Sequence, residues 1–117
     1  MTFLGVCLMT ENVLELTEFY KMVLQATADG DDIHMEILTH GASLAIYNNG
    51  DVKDSKNENI ILGFEVANVD AEYERLKTLK VKITMIPTIY PWGRRAMQIA
   101  DPDGNLINLS CKNSLSQ

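Results

Sequence analysis

The chain has 117 residues, 46% hydrophobic and 22% charged, which fits one ordinary domain and excludes both a disordered chain and one that needs disulfide staples to fold. Ten Lys and Arg stand against sixteen Asp and Glu, a net charge of −6 with Arg94–Arg95 the only adjacent arginines, and that balance excludes nucleic acid as a partner because a phosphate backbone calls for a basic face. No apolar run approaches the roughly 18 residues that span a bilayer, so no membrane partner is expected.

The opening segment MTFLGVCLMTENV lacks a basic stretch and a cleavage site, so no secretory signal is expected. Cys7 and Cys111 each sit inside a strand-like run, which points to reduced thiols and a cytoplasmic protein.

In chain order, Phe3–Thr10 reads as a strand of apolar and small residues. Asn12 offers an N-cap, and Glu15 at the third helical position completes a capping-box pair. Val13, Leu16, Tyr20, Val23 and Leu24 then follow at helical spacing as one apolar stripe ending near Gln25. Thr27–Asp32 is a short edge strand or turn around Gly30. Ile33–Thr39 and Ala42–Tyr47 form a hairpin turned at His40–Gly41. The polar run NNGDVKDSKNEN that follows, over 48–59, supplies the linker.

The pattern then restarts. Ile60–Val66 is a strand, Asn68 a second N-cap, and Val69, Tyr73, Leu76 and Leu79 a second helical stripe. Val81–Thr88 is a strand closed by the stretch from Pro87 to Pro91. Arg95–Ala100 and Leu106–Lys112 are strands joined by Asp101-Pro102-Asp103-Gly104, with proline and glycine where a tight turn wants them. Sliding the chain on itself by 56 residues lays Asn12 on Asn68, Val13 on Val69, Tyr20 on Leu76 and Leu8 on Phe64, the self-similarity of a duplicated unit. The expected fold is α+β, with two tandem β-α-β-β-β modules forming a curved mixed sheet around a cleft. Module one covers 1–48, the linker 49–59, module two 60–112 and a short tail 113–117.

The order Pro91-Trp92-Gly93-Arg94-Arg95, strand, Asp101-Pro102-Asp103-Gly104-Asn105, strand resembles the closing hairpin of the vicinal-oxygen-chelate superfamily, the glyoxalase, bleomycin-resistance and extradiol-dioxygenase group. Phe19-Tyr20 followed by Leu24 is similar to that family's first helix. Phe64-Glu65-Val66 leading into Asn68-Val69-Asp70-Ala71 resembles the start of its second module. The resemblance implies paired modules, frequent homodimers and a ligand or metal site in the cleft. It leaves function open, because isomerases, ring-cleaving dioxygenases, drug-modifying transferases and metal-free drug binders share the fold.

Metal-using members carry His on the first strand of each module and Glu on the last. Carried onto this chain, those positions are Gly5, Ala45, Ile61 and Asn108. Three lack a ligating side chain and the fourth offers a neutral amide oxygen, so neither a metal nor another cofactor is expected, which puts the family's Lewis-acid mechanisms in doubt.

Alternation along the strands assigns faces. Val6, Leu8, Leu44, Ile46, Leu62, Phe64, Val66, Ile107 and Leu109 would face the helices. Gly5, Cys7, Ser43, Ala45, Tyr47, Ile61, Gly63, Glu65 and Asn108 would take the other side, with His34, Glu36 and Gln98 also set apart from their apolar neighbours. Candidate ligand-binding residues are Tyr47, Glu65, Trp92, Gln98 and Asn108. Glu65 and Asn108 are expected on central strands facing the cavity, where a buried, unpaired Glu65 would suit a cationic ligand or a nearby base. His34 and Glu36 are expected on an edge strand, equally suited to solvent. Tyr90 and Trp92 fall in the proline-rich loop, where Trp92 caps a ligand or packs at the module junction. Arg95 is expected to pair with an exposed carboxylate, and Met9 and Met35 offer an adaptable apolar wall.

The leading reading is a metal-independent protein that binds a cationic or neutral small molecule, of the bleomycin-resistance kind, as a homodimer. The alternative is a lyase or isomerase of the glyoxalase type with Glu65 or His34 as general base, and a structural or regulatory homodimer is the third.

Overall fold

The computed structural model describes residues 1–53, 57 and 59–113. Part of the expected linker, 54–56 and 58, and most of the expected tail, 114–117, lie outside the described residues. The chain divides into two compact units, Met1–Ser55 and Lys56–Gln117.

The first unit runs β1 (Gly5–Met9), α1 (Val13–Leu24), β2 (Ala28–Gly30), β3 (His34–Ile37) and β4 (Ser43–Tyr47). Its sheet has the order β1-β4-β3-β2, with β1 parallel to β4 and the other pairs antiparallel. The parallel pair follows from the topology: α1 carries the chain back across the sheet, and the short hairpins then fill the other positions. Leu8, Val13, Leu16, Tyr20, Val23, Ile37, Leu44 and Ile46 are its buried apolar residues, the helix stripe meeting one face of the sheet.

The second unit repeats the plan with β5 (Ile61–Glu65), α2 (Val69–Thr78), β6 (Lys82–Tyr90), β7 (Arg94–Ala100) and β8 (Leu106–Lys112), in the sheet order β5-β8-β7-β6. β5 is parallel to β8, and the remaining pairs are antiparallel. Leu62, Val69, Leu76, Met97, Ile99, Ile107 and Leu109 are buried. Strands β1 and β5, and the starts of α1 and α2, keep the 56-residue offset of the sequence repeat. The α+β architecture of tandem β-α-β-β-β modules is therefore present. No helix among the described residues is long and apolar enough to cross a membrane.

Several local expectations need correction. Asn68 caps α2, its side chain accepting from Ala71 N at 3.0 Å, but Asn12 makes no side-chain cap bond. Its backbone N–H instead donates to Thr10 Oγ1 at 3.0 Å, which turns the chain into the helix without a capping box. Leu79 lies past the end of α2 and is exposed, because the helix stops at Thr78 and the stripe loses its register there. β6 runs two residues further than expected, to Tyr90, and Pro91 follows its end. Pro87 lies inside the strand, in the irregular stretch between Met85 and Thr88. The turn after β7 is as expected, and Asp101 ties it. This buried carboxylate accepts from Asp103 N, Asn105 N and Asn105 Nδ2, each at 2.9 Å.

Candidate binding site

Strand register settles which side chains share a face. In the second unit, Gly63, Asn108 and Gln98 stand side by side across β5, β8 and β7, and Glu65, Ser110 and Ala96 form the next row. Residues one step along each strand, such as Leu62, Ile107 and Ile99, are buried against α2. The helix-free face of this unit therefore carries the polar side chains, as alternation predicts.

Two hydrogen-bonded groups lie on that face. In one, Thr84 Oγ1 donates to Gln98 Oε1 at 2.8 Å, and Gln98 Nε2 donates to Asn108 Oδ1 at 3.1 Å. In the other, Arg94 Nη2 reaches Glu65 Oε1 at 2.5 Å and Ser110 Oγ at 2.8 Å. At the end of the sheet Tyr90 and Trp92 stack, centroids 4.7 Å apart and planes 17° from parallel, while Tyr90 Oη contacts Met85 Sδ at 2.8 Å. The backbone sets this pair: Gly93 N donates to Tyr90 O at 3.1 Å, and Gly93 holds a φ of 85° that closes the turn.

The structure thus joins Gln98 to Asn108 directly and places Glu65 on the same face. It does not give Glu65 the environment expected of it. β5 is the terminal strand of its sheet rather than a central one, the Glu65 side chain is 65% exposed, and Arg94 pairs with it. The unpaired buried carboxylate is absent because its cationic partner comes from β7, two strands away. Asn108, on β8, is on an inner strand and half-buried. Trp92 is 71% exposed, and Tyr90 belongs to β6 rather than to a loop. Arg94, Ser110 and Thr84 were missed as members of these groups. For the first two a signal existed, since Arg94 and Ser110 share the parity of Gln98 and Asn108 along their strands. Thr84 reaches Gln98 only because a register irregularity separates Ile83 from Met85, and nothing in the sequence marks that.

Tyr47 and His34 belong to the first unit. They are cross-strand partners with rings edge to face at 5.7 Å. β3 lies between β4 and β2, so it is not an edge strand as expected, although His34 and Glu36 are both exposed. Glu36 accepts from Ser43 Oγ at 3.1 Å. Met9 pairs with Tyr47 and Met35 with Ile46, which puts the two methionines on opposite faces and removes the shared wall expected of them.

The expected pairing of Arg95 is present. Its Nε and Nη2 bind the two carboxylate oxygens of Asp70 at 2.9 and 2.7 Å. The hydrogen bond from Arg95 holds the Asp70 carboxyl below its ordinary range, and the same contact raises the Arg95 guanidinium. Asp31 is also lowered, chiefly by the backbone N–H of His34 and then that of Ile33, an Asx turn at the start of β3.

The family's ligand positions can be tested on the geometry. Gly5 pairs with Ser43 and Ala45 lies two residues on; Ile61 pairs with Leu106 and Asn108 lies two residues on. The two pairs are equivalent in the two units, and all four lie on helix-free faces. The donor set does not suit a divalent ion, since Gly5, Ala45 and Ile61 supply no donor atom and Asn108 Oδ1 already accepts from Gln98. At Gly5 the backbone itself forbids a ligand: φ is 154°, and an added Cβ would lie 2.0 Å from the Ser43 carbonyl oxygen. Among the described residues no group of three or more His, Cys, Asp or Glu is arranged to hold a metal ion.

The model of the Glyoxalase/Bleomycin resistance protein/Dioxygenase superfamily matches residues 3–109. Among solved structures, a glyoxalase/bleomycin resistance protein/dioxygenase from Nocardioides is 20% identical with a TM-score of 0.80, covering 97% of this chain and 85% of that one. TioX from Micromonospora sp. ML1 is 17% identical with a TM-score of 0.76, covering 96% and 99%. A lactoylglutathione lyase from Agrobacterium tumefaciens is 16% identical with a TM-score of 0.75, covering 93% and 92%. Identities this low speak for the fold alone. No curated protein matches the chain.

Proposed function

The chain belongs to the Glyoxalase/Bleomycin resistance protein/Dioxygenase superfamily, and from that premise we propose that it is a small-molecule-binding member that works without the family's divalent metal. The observation that carries this reading is Gly5. A ligand position whose Cβ would meet the Ser43 backbone at 2.0 Å cannot be filled by His without moving the strand, and its counterparts Ala45 and Ile61 are equally without donors. The helix-free face of the second unit supplies what binding alone requires, namely a few oriented polar groups beside an aromatic pair. Its members are Gln98, Asn108, Glu65 and Trp92, while Tyr47 is a candidate on the helix-free face of the first unit. The Glu65–Arg94 pair is locally neutral, so a neutral ligand suits this face. The net charge of −6 leaves room for a cationic one through the field of the whole molecule.

The protein acts in the cytoplasm as a homodimer in this reading. Two cysteines without a disulfide support the first point, and the exposed Phe3, Leu4, Ile60 and Ile61 the second. The rival is a lyase or isomerase with Glu65 or His34 as general base. Both side chains are exposed on helix-free faces, which favours it, but Arg94 already occupies the Glu65 carboxylate.

Thermal denaturation with Zn2+, Ni2+ or Mn2+ at micromolar concentration separates the metal question from the rest. The melting temperature is expected to stay put for all three. A rise of several degrees with any of them would show metal bound to the folded state and end the metal-independent reading.

A further inference from the structure

The Thr84, Gln98 and Asn108 side chains are linked head to tail. The Thr84 hydroxyl donates to the Gln98 oxygen at 2.8 Å, and the Gln98 nitrogen donates to the Asn108 oxygen at 3.1 Å. Every proton in this chain points the same way, towards Asn108. Each bond polarises the next, so the amide at the end of the chain is a better donor than an isolated one. The Asn108 oxygen is used as acceptor, and its Nδ2 makes no protein hydrogen bond among the described residues. Asn108 is half-buried, and its cross-strand neighbour on β5 is Gly63. A Cβ built at Gly63 would meet nothing within 4 Å. Open space therefore lies over Gly63, beside Asn108 on the neighbouring strand, where β5 contributes no side chain.

We infer that this relay is a specificity device, selecting ligands that place a carbonyl or similar acceptor oxygen over Gly63 to receive the Asn108 Nδ2 protons. The inference rests on the binding reading given above and narrows its ligand class to hydrogen-bond acceptors. Cations are disfavoured at this spot because the two Nδ2 protons repel them and the Asn108 oxygen already accepts from Gln98. The flanking Glu65–Arg94 pair is internally matched, and so it does not reverse the choice.

The test uses the full chain, 15N-labelled, and three aromatic probes of similar size: acetophenone, which only accepts; ethylbenzene, which does neither; and benzylammonium, a cation that only donates. Acetophenone should shift the Asn108 side-chain amide resonances and bind about fivefold more tightly than ethylbenzene, the scale of one net hydrogen bond. Asn108→Leu should bring that ratio close to unity. Asn108→Asp, which keeps the shape and replaces the donors by acceptors, should turn the preference to benzylammonium. Equal binding of acetophenone and ethylbenzene by the wild type, with the Asn108 amide unmoved, would overturn the relay and leave the binding face standing. A wild-type preference for benzylammonium would overturn it too. If none of the three moves any resonance of this face at millimolar concentration, the binding reading falls and the inference with it.

Discussion

Arg94 reaches Glu65 across the strand that lies between them, bonding Ser110 of that strand on the way, with 2.5 Å to the carboxylate and 2.8 Å to the hydroxyl. One guanidinium nitrogen thereby ties β5 and β8 to β7 on the polar face of the second unit. The contact positions Glu65 more than it stabilises the fold, because the carboxylate is 65% exposed.

A double-mutant cycle with Glu65→Gln and Arg94→Leu should therefore return a coupling of no more than about 1 kcal/mol, reduced further at high salt. A coupling that stays large in molar salt would mean that the pair is shielded from solvent and would revise its role.

Gly5 and Gly63 make a contrasting pair. A Cβ at Gly5 collides with the Ser43 carbonyl, whereas one at Gly63 meets nothing. Gly5→Ala should cost about 3 kcal/mol or more through backbone displacement and left-handed strain. Gly63→Ala should stay within about 0.5 kcal/mol. Chemical denaturation of the two variants measures both. Gly5→His should lose at least as much as Gly5→Ala and gain no zinc-dependent stabilisation.

The two helix starts differ in a way that stability measurements resolve. Asn68→Ala removes the bond to Ala71 N and should cost about 1 kcal/mol. Asn12→Ala removes no side-chain cap bond and should cost only a few tenths of a kcal/mol. Equal losses at the two sites would contradict the caps as described.

Asp70 gives a pH dependence with a definite sign. Its carboxyl is lowered in the folded chain by the Arg95 hydrogen bond, so it binds protons less readily folded than unfolded. The resulting stability is present above the ordinary carboxylate range and is lost as pH falls through the depressed folded value. Arg95→Leu should raise the Asp70 titration midpoint seen by carbon-detected NMR and flatten the acid limb of the stability curve. An unchanged midpoint would show that Arg95 is not the cause.

Periodicity carried most of the fold. The stripe from Val13 to Val23, the alternation in β4 and β8 and the turn at Asp101 all reflect interactions among near neighbours, and these are visible in a linear string. What escaped depends on distant parts of the chain. That β5 ends its sheet, and β3 does not, follows from strand order, which alternation does not encode. The same nonlocality hid the partner of Glu65, since Arg94 meets it only once β8 is placed between them. The Glu15 half of the capping box failed for a smaller reason: the Thr10 hydroxyl, two residues before Asn12, accepts the Asn12 N–H that Glu15 would have taken.

Pro87, inside the outermost strand of the second sheet, bears on how the protein behaves at high concentration. A nine-residue strand at a rim is an invitation to another chain, and a proline there deletes a donor that a docking strand would have to find. The kinks on either side of Met85 spoil the spacing of the remaining donors. Growth of fibres by strand addition is thus obstructed along this rim, and replacing Pro87 by Val would make the protein more prone to self-association without altering what lies on the polar face.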